Sequence, residues 1–221
     1  MDLLIGEVAK LREATAEIVS LVGRVNVIET KMSAQDSVIA SLVQEVKMLK
    51  EHVNEREQYD KLTAVRIFNV PGSDSETGLA VNIYDTILKP ILAAAKQKGD
   101  LATLPQVGTT IVEVYRAGKF AQGSNKPPPP VIVKFTNSVI RMAILRNKRN
   151  NTPPPSEVGA KRIIIVEDLT PATHRKLRDL LEDDRVEKAW TISGHIWYVS
   201  KKSKTPVKVK SIYDTTNAIL G

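Results

Sequence analysis

A heptad repeat governs the first quarter of the chain. Stepping by seven from Leu4 gives Leu11, Ile18, Val25, Met32, Ile39, Val46 and Val53, and every one of these positions is apolar. The positions three residues further on are Glu7, Ala14, Leu21, Ile28, Gln35, Leu42, Leu49 and Arg56, apolar except at the two ends and at Gln35. The stretch has no proline, and Gly6 and Gly23 fall outside the seam. A period of 3.5 residues kept over so many turns calls for a helix that wraps around copies of itself, because a lone amphipathic helix drifts off a 3.5 repeat. Residues 1–60 are therefore expected to form a coiled coil about 80 Å long at 1.5 Å per residue.

Strand number has two readings. Ile and Val at first positions with Leu at later fourth positions suit a dimer. Against this, Arg24-Val25-Asn26-Val27-Ile28-Glu29 matches the Arg-apolar-x-x-apolar-Glu pattern of three-stranded coiled coils. There Arg24 would lay its stem over Val25 and Ile28 and fork onto Glu29 of a neighbouring helix. A parallel homotrimer is favoured over a dimer, with Gln35 helping to set register.

Charge divides the chain in the same place. Residues 1–60 hold 7 Lys/Arg and 11 Asp/Glu, a net of −4, so residues 61–221 carry the remaining 25 and 14, a net of +11. A basic region beside an acidic helix points to a polyanionic partner, nucleic acid foremost. No apolar run approaches the roughly 20 residues of a membrane span, and the N-terminal residues lack the pattern of a secretory signal, so no membrane partner is expected. The chain has no cysteine, which excludes disulfides and thiolate metal sites and is consistent with a reducing intracellular location.

Past Asp60 the period changes from 3.5 to 2. Ala64–Val70 alternates as a strand, placing Val65 and Ile67 inward and Arg66 and Phe68 outward, and Pro71-Gly72-Ser73-Asp74 ends it. Residues 79–98 have a helical pattern through Leu79, Ile83, Ile87, Ile91 and Ala94, with Pro90 expected to kink or break the helix. Strands are expected at 109–116, 131–135 and 161–167. In the 131–135 strand Val131, Val133 and Phe135 face the helices, leaving Ile132 and Lys134 outward. Asn137 is placed to cap a second helix that runs through Ile140, Ile144 and Leu145 to a basic end at Arg146, Lys148 and Arg149. Loops carrying Lys119 and Lys126, and Thr152–Pro155, separate these elements. The order β-α-β-β-α-β over residues 61–168 is that of a ferredoxin-like domain, one nucleic-acid version of which is the RNA recognition motif. Arg66, Phe68 and Lys134 on its outer face offer phosphate pairing and base stacking, although Phe68 would equally serve as cover for the core.

Residues 169–221 read as a small α/β C-terminal domain. Thr170-Pro171 starts a helix, with His174, Arg175, Lys176 and Arg178 near its start and Leu177, Leu180 and Leu181 toward the core. Strands are expected at 187–192, 195–199 and 206–210, with a turn at Ser193-Gly194. Trp190 is expected mainly in the core, while Tyr198 is open between packing and stacking. Lys201, Lys202, Lys204, Lys208 and Lys210 make either a basic ridge for a polyanion or a lysine-blunted sheet edge.

The whole order resembles the first open-reading-frame protein of LINE-type retrotransposons. The residues carrying the resemblance are the heptads, Val65–Gly72, Glu113-Val114-Tyr115-Arg116, Pro130–Phe135, Lys161–Asp168 and Leu169–Thr173. The resemblance implies a trimeric RNA-binding nucleic-acid chaperone that coats its element's RNA in a cytoplasmic, or also nuclear, ribonucleoprotein. It implies nucleic-acid contacts by Arg66, Phe68, Arg116, Lys134, Arg149, Arg175, Arg178, Lys201 and Lys202, and trimerisation through Arg24, Val25, Ile28 and Glu29. Lys134 stands where the family commonly has arginine, which keeps the charge and loses the flat fork. Single-stranded RNA is the expected ligand, with single-stranded DNA as its alternative. The expected fold class is α+β, in three parts at 1–60, 61–168 and 169–221.

No active site is expected. His52, His174 and His195 are scattered, and no HExxH, GxSxG, Walker or dinucleotide motif is present. Asp183-Asp184 reads as a solvated helix end, and neither a metal nor a cofactor is implied. The competing reading is a coiled-coil scaffold whose basic domain docks an acidic protein, which would show little salt-dependent RNA affinity.

Overall fold

A computed structural model describes residues 2–72, 78–119, 127–151 and 162–221. The expected loop residues Ser73, Asp74, Lys126 and Thr152–Pro155, and Lys161 of the fourth strand, lie outside the described residues. The chain is mixed α and β and divides into two compact units, residues 1–50 and 51–221.

The first unit is helical throughout its described residues and belongs to α1 (Asp2–Asp60). Thr15 and Thr30 return their hydroxyls to the carbonyls of Leu11 and Asn26, one turn back. The heptad residues are exposed in the single chain: Leu11, Ile18, Leu21, Val25, Ile28, Met32, Ile39, Leu42, Val46 and Leu49 are all more than 45% accessible. So are Arg24 and Glu29 exposed. No helix among the described residues is long and apolar enough to cross a membrane.

The second unit contains the end of α1 and two antiparallel sheets. The larger has strand order β2-β3-β1-β4, from β1 (Ala64–Phe68), β2 (Ile111–Arg116), β3 (Val131–Phe135) and β4 (Ile164–Glu167). Val65 pairs with Val133 and Ile67 with Val131 and Ile165, and all five are buried, so one face of the sheet is a continuous apolar layer. α2 (Leu79–Ile83), α3 (Lys89–Gln97) and α5 (Ser138–Asn151) supply the other half of this core through Ile83, Ile91, Leu92 and Ile144.

Three details differ from the sequence expectation. Pro90 does not break the helix; a π-helical turn at Tyr84–Leu88 joins α2 to α3 and leaves Pro90 in the first turn of α3, where its missing N–H costs least. The second strand begins at Ile111 rather than Thr109, because Thr109 and Thr110 donate to the Gln106 carbonyl and close the short helix α4 (Val107–Thr110). The fourth strand begins at Ile164, since its partner β1 ends at Phe68 and Asn69 leaves the sheet at φ 61°. The cap at Asn137 forms as expected, its side chain accepting from Ile140 N at 3.1 Å.

The smaller sheet is β5 (Val186–Ile192), β6 (His195–Ser200) and β7 (Pro206–Lys208), in that order, and it packs on α6 (Pro171–Glu182). Thr170 caps α6 by accepting from Thr173 N at 3.2 Å, with Pro171 at the first helical position. Ser193 and Gly194 both have positive φ, 50° and 78°, the requirement of a tight two-residue hairpin turn. Leu180 is fully buried and Leu177 half-buried, but Leu181 is 56% exposed and faces water instead of the core. A last helix, α7 (Thr216–Leu220), capped by Thr215, adds Ile219 and Leu220 to this core. Tyr198 is a packing residue: it is buried, and its hydroxyl donates to the Ile219 carbonyl at 2.8 Å.

Candidate nucleic-acid interface

Polar side chains hold the elements of the second unit in place. Asn54 and Gln58, in the last turns of α1, are buried although polar. Gln58 donates to the Asp168 carbonyl at 3.0 Å and accepts from Thr170 N at 3.1 Å. Asn54 accepts from the Thr170 hydroxyl and donates to the Thr173 hydroxyl at 3.3 Å. The cap of α6 is thereby fastened to α1, and both of these buried amides have partners for their oxygen and nitrogen. Glu167, at the end of β4, accepts from the backbone N–H groups of Ser193 at 2.8 Å and Gly194 at 2.9 Å. On its other side it lies 2.7 Å from Nη2 of Arg141, which is itself only 2% exposed. The tip of the β5–β6 hairpin is thus pinned to the larger sheet by a buried, ion-paired carboxylate.

Between these fixed points a cleft of about 690 Å³ is lined by Lys61, Arg66, Phe68, Lys148, His174, Arg175 and Trp190, with Val166, Leu169, Pro171 and Leu177 as apolar wall and Glu167 and Thr191 completing it. Four cations and three aromatic rings share one concavity. Arg66 is not loose in it: Nε and Nη2 donate to Asp168 Oδ1 at 3.0 and 2.8 Å, and Lys61 Nζ donates to Oδ2 at 2.8 Å. The Asp168 side chain is 3% exposed while those of Arg66 and Lys61 are each 30% exposed, so the carboxylate sits beneath two cations that reach the surface. The Lys148 ammonium donates to the Ile165 carbonyl. Its burial pulls its pKa below the ordinary lysine value, with Glu167 opposing the shift. Arg175 is exposed on α6, its Nε 3.4 Å from the Pro171 carbonyl.

The structure brings together three of the expected contact residues, Arg66, Phe68 and Arg175, and places the others elsewhere. Lys134 lines a second, smaller cavity of about 290 Å³ with Glu57, Asp60, Glu113, Tyr115 and Ile132, which shares Lys61 with the cleft. Ile132, expected outward on an open face, is only 3% exposed there, because the end of α1 stands over this part of the sheet. Arg116 donates to the carbonyls of Val70 at 3.0 Å, Pro129 at 3.1 Å and Pro71 at 2.7 Å, and so ties the ends of β1 and β3 together. Arg149 is exposed at the end of α5, where its carbonyl accepts from Arg162 at 3.0 Å. Arg178 is exposed on α6, 3.8 Å from Glu182 one turn on. Lys201 and Lys202 are exposed in the turn after β6.

Lys61, Lys148, His174 and Trp190 complete the cleft without having been expected in it. Trp190 lines the cleft rather than the core, for a reason of strand parity. Strict alternation would put Val186, Lys188, Trp190 and Ile192 on one face, and Val186 is buried. A bulge between Val186 and Lys188 resets the alternation, so that Ala189 follows Val186 into the core beside Leu180 and Trp190 falls on the other face of the strand. The excess residue at a bulge has no sequence signature, but the charged pair Glu187-Lys188 in mid-strand is the trace it leaves. Comparison with models of protein families and with curated proteins finds no match to this chain.

Proposed function

We propose that the chain binds single-stranded nucleic acid, RNA foremost, in the cleft of residues 51–221, and that it does so as a homotrimer without catalysing a reaction. The observation that carries this reading is the cleft itself. Lys61, Arg66, Lys148 and Arg175 provide phosphate partners within reach of Phe68, His174 and Trp190, whose ring faces suit unpaired bases. Two supports are independent of it. The larger sheet has the order β2-β3-β1-β4, which an RNA recognition motif requires. The seam of α1 leaves Val25 and Ile28 at least 50% exposed between Arg24 and Glu29, and burying what remains of each against a partner helix gains about 1 kcal/mol. The reading that fits all three is a trimeric RNA-coating chaperone of the LINE first open-reading-frame type. Weak sites multiplied by trimerisation would hold a long strand while each contact exchanges quickly.

The test is fluorescence anisotropy of a labelled single-stranded RNA at several salt concentrations, with the mass of the protein measured in the same buffer. Three to four neutralised phosphates give a slope of log affinity against log salt of about −2 to −3. A trimer with such a slope supports the reading. A folded oligomer that binds no RNA at low salt refutes it and favours a scaffold for an acidic protein.

A further inference from the structure

The smaller sheet has a face that the cleft does not account for. Ala189, Tyr198 and Ile196 turn inward to Leu180. On the opposite face Trp190 lies directly across from Trp197, and Trp197 directly across from Lys208, so three neighbouring strands present a row of indole, indole and ammonium. Lys188 extends the row at its other end, its Nζ 5.9 Å from the centre of the Trp190 ring. Both indoles are half-buried and both lysines exposed. The row crosses two strand spacings, about 10 Å. One end of it, Trp190, is also the wall of the cleft.

We propose that this row is a second single-strand track, on which a strand leaving the cleft stacks one base on Trp190 and the next on Trp197. Lys188 and Lys208 then pair with the flanking phosphates. The inference rests on the nucleic-acid reading above and adds the path of the strand to it. Charge and chemistry together select the occupant. An apolar protein partner would leave both ammonium groups desolvated and unpaired, whereas a single-stranded nucleic acid offers a π-face and an anion at each step. A duplex offers phosphates but keeps its bases stacked on one another, so it cannot use the indoles.

The chain has only two tryptophans, and both are in the row, which makes its own fluorescence the probe. In Trp190→Phe the sole emitter is Trp197, which does not line the cleft. Titration with a short fluorescein-labelled oligouridylate, followed by anisotropy, and with the unlabelled strand, followed by tryptophan emission, reads binding and stacking separately. Stacking predicts that Trp197 emission falls by half or more as the single strand saturates, and that a duplex RNA of equal length leaves it unchanged. Trp197→Ala should weaken the single strand about 5- to 150-fold, and Trp197→Phe should restore most of that loss. In the parent protein both indole N–H signals should shift in NMR spectra on adding the oligouridylate, a readout that needs no folded variant. Saturated anisotropy with Trp197 emission and its N–H signal unmoved overturns the track and leaves the cleft standing. Equal quenching by duplex also overturns it, since charge alone would then explain the contact. No binding by the parent protein at low salt removes the nucleic-acid reading and the track with it.

Discussion

Replacing Gly194 by alanine tests whether the hairpin tip is seated as tightly as its contacts imply. Gly194 has φ +78°, where an L side chain is strained by about 1–2 kcal/mol. A Cβ there would stand 2.3 Å from Gln58 Cγ and 2.7 Å from Cδ, distances no side chain tolerates. Gln58 cannot simply swing away, because it is buried and its amide joins the Asp168 carbonyl to Thr170 N. Giving up these two hydrogen bonds costs about 0.5–1.5 kcal/mol each, so Gly194→Ala should destabilise the protein by about 2–5 kcal/mol. The assay is urea denaturation at fixed protomer concentration, since an oligomer's midpoint moves with concentration. The same substitution in a Gln58→Ala background, where the obstructing side chain is gone, should cost only the backbone strain of about 1–2 kcal/mol. A cost below about 1 kcal/mol in the parent, or an equal cost in both backgrounds, would refute the claim that Gln58 seats the turn.

Three further variants probe other parts of the structure. Glu167→Gln keeps the size of the side chain but turns one of its two accepting oxygens into a donating NH2 opposite a backbone N–H, and it leaves the Arg141 guanidinium, 2% exposed, without its counter-charge. It should cost about 3–5 kcal/mol in the same denaturation assay, and a loss under 1 kcal/mol would mean that Arg141 is not buried as a charge. Asp168→Asn releases Arg66 and Lys61 from their shared carboxylate. On the nucleic-acid reading it should tighten single-stranded RNA at low salt and steepen the salt slope by about 0.7, and an unchanged slope would show that Asp168 does not compete with phosphate. Val25→Asp with Ile28→Asp places two carboxylates per helix on the exposed seam. Sedimentation should then report a smaller species and long RNA should bind more weakly; unchanged mass would show that this seam is not the oligomer contact.

Periodicity carried the elements well and their neighbours poorly. The change from a 3.5 to a 2.0 repeat near Asp60 marks where helix gives way to strand, and Asn137, Thr170 and Ser193-Gly194 mark caps and a turn because their chemistry is local. The site was legible only where strand parity held. Arg66 and Phe68 follow from β1 alternation, whereas the bulge at Val186/Lys188 inverted the reading of Trp190. Non-local partners were not legible at all. Nothing in the sequence around Asp168 says that Lys61 and Arg66 converge on it, nor that Asn54 and Gln58, in the same helix as the heptads, would be buried. The apolar seam pattern fails at Arg56, between those two residues, which is the one hint that the final turns of α1 serve another surface.

Glu167 and Asp168 are adjacent in the chain and therefore point to opposite sides of the sheet. Glu167 turns inward to Arg141 and reaches the hairpin tip, while Asp168 turns outward to Arg66 and Lys61. Of this dipeptide, Glu167 seats the hairpin tip on the larger sheet and Asp168 gathers two cations of the cleft. An apolar contact in this place would favour closeness and allow sliding, because burial has no direction. Two consecutive N–H groups donating to one buried carboxylate allow only one seating, and leaving it would strand a buried charge at a cost of about 3–5 kcal/mol. The walls of the cleft are therefore seated by directional polar contacts, the Glu167 carboxylate at the hairpin tip and the Asn54 and Gln58 amides at the cap of α6. Two of its cations, Lys61 and Arg66, are held ready by Asp168 before any ligand arrives, which lowers the ordering entropy of binding while withholding part of their charge.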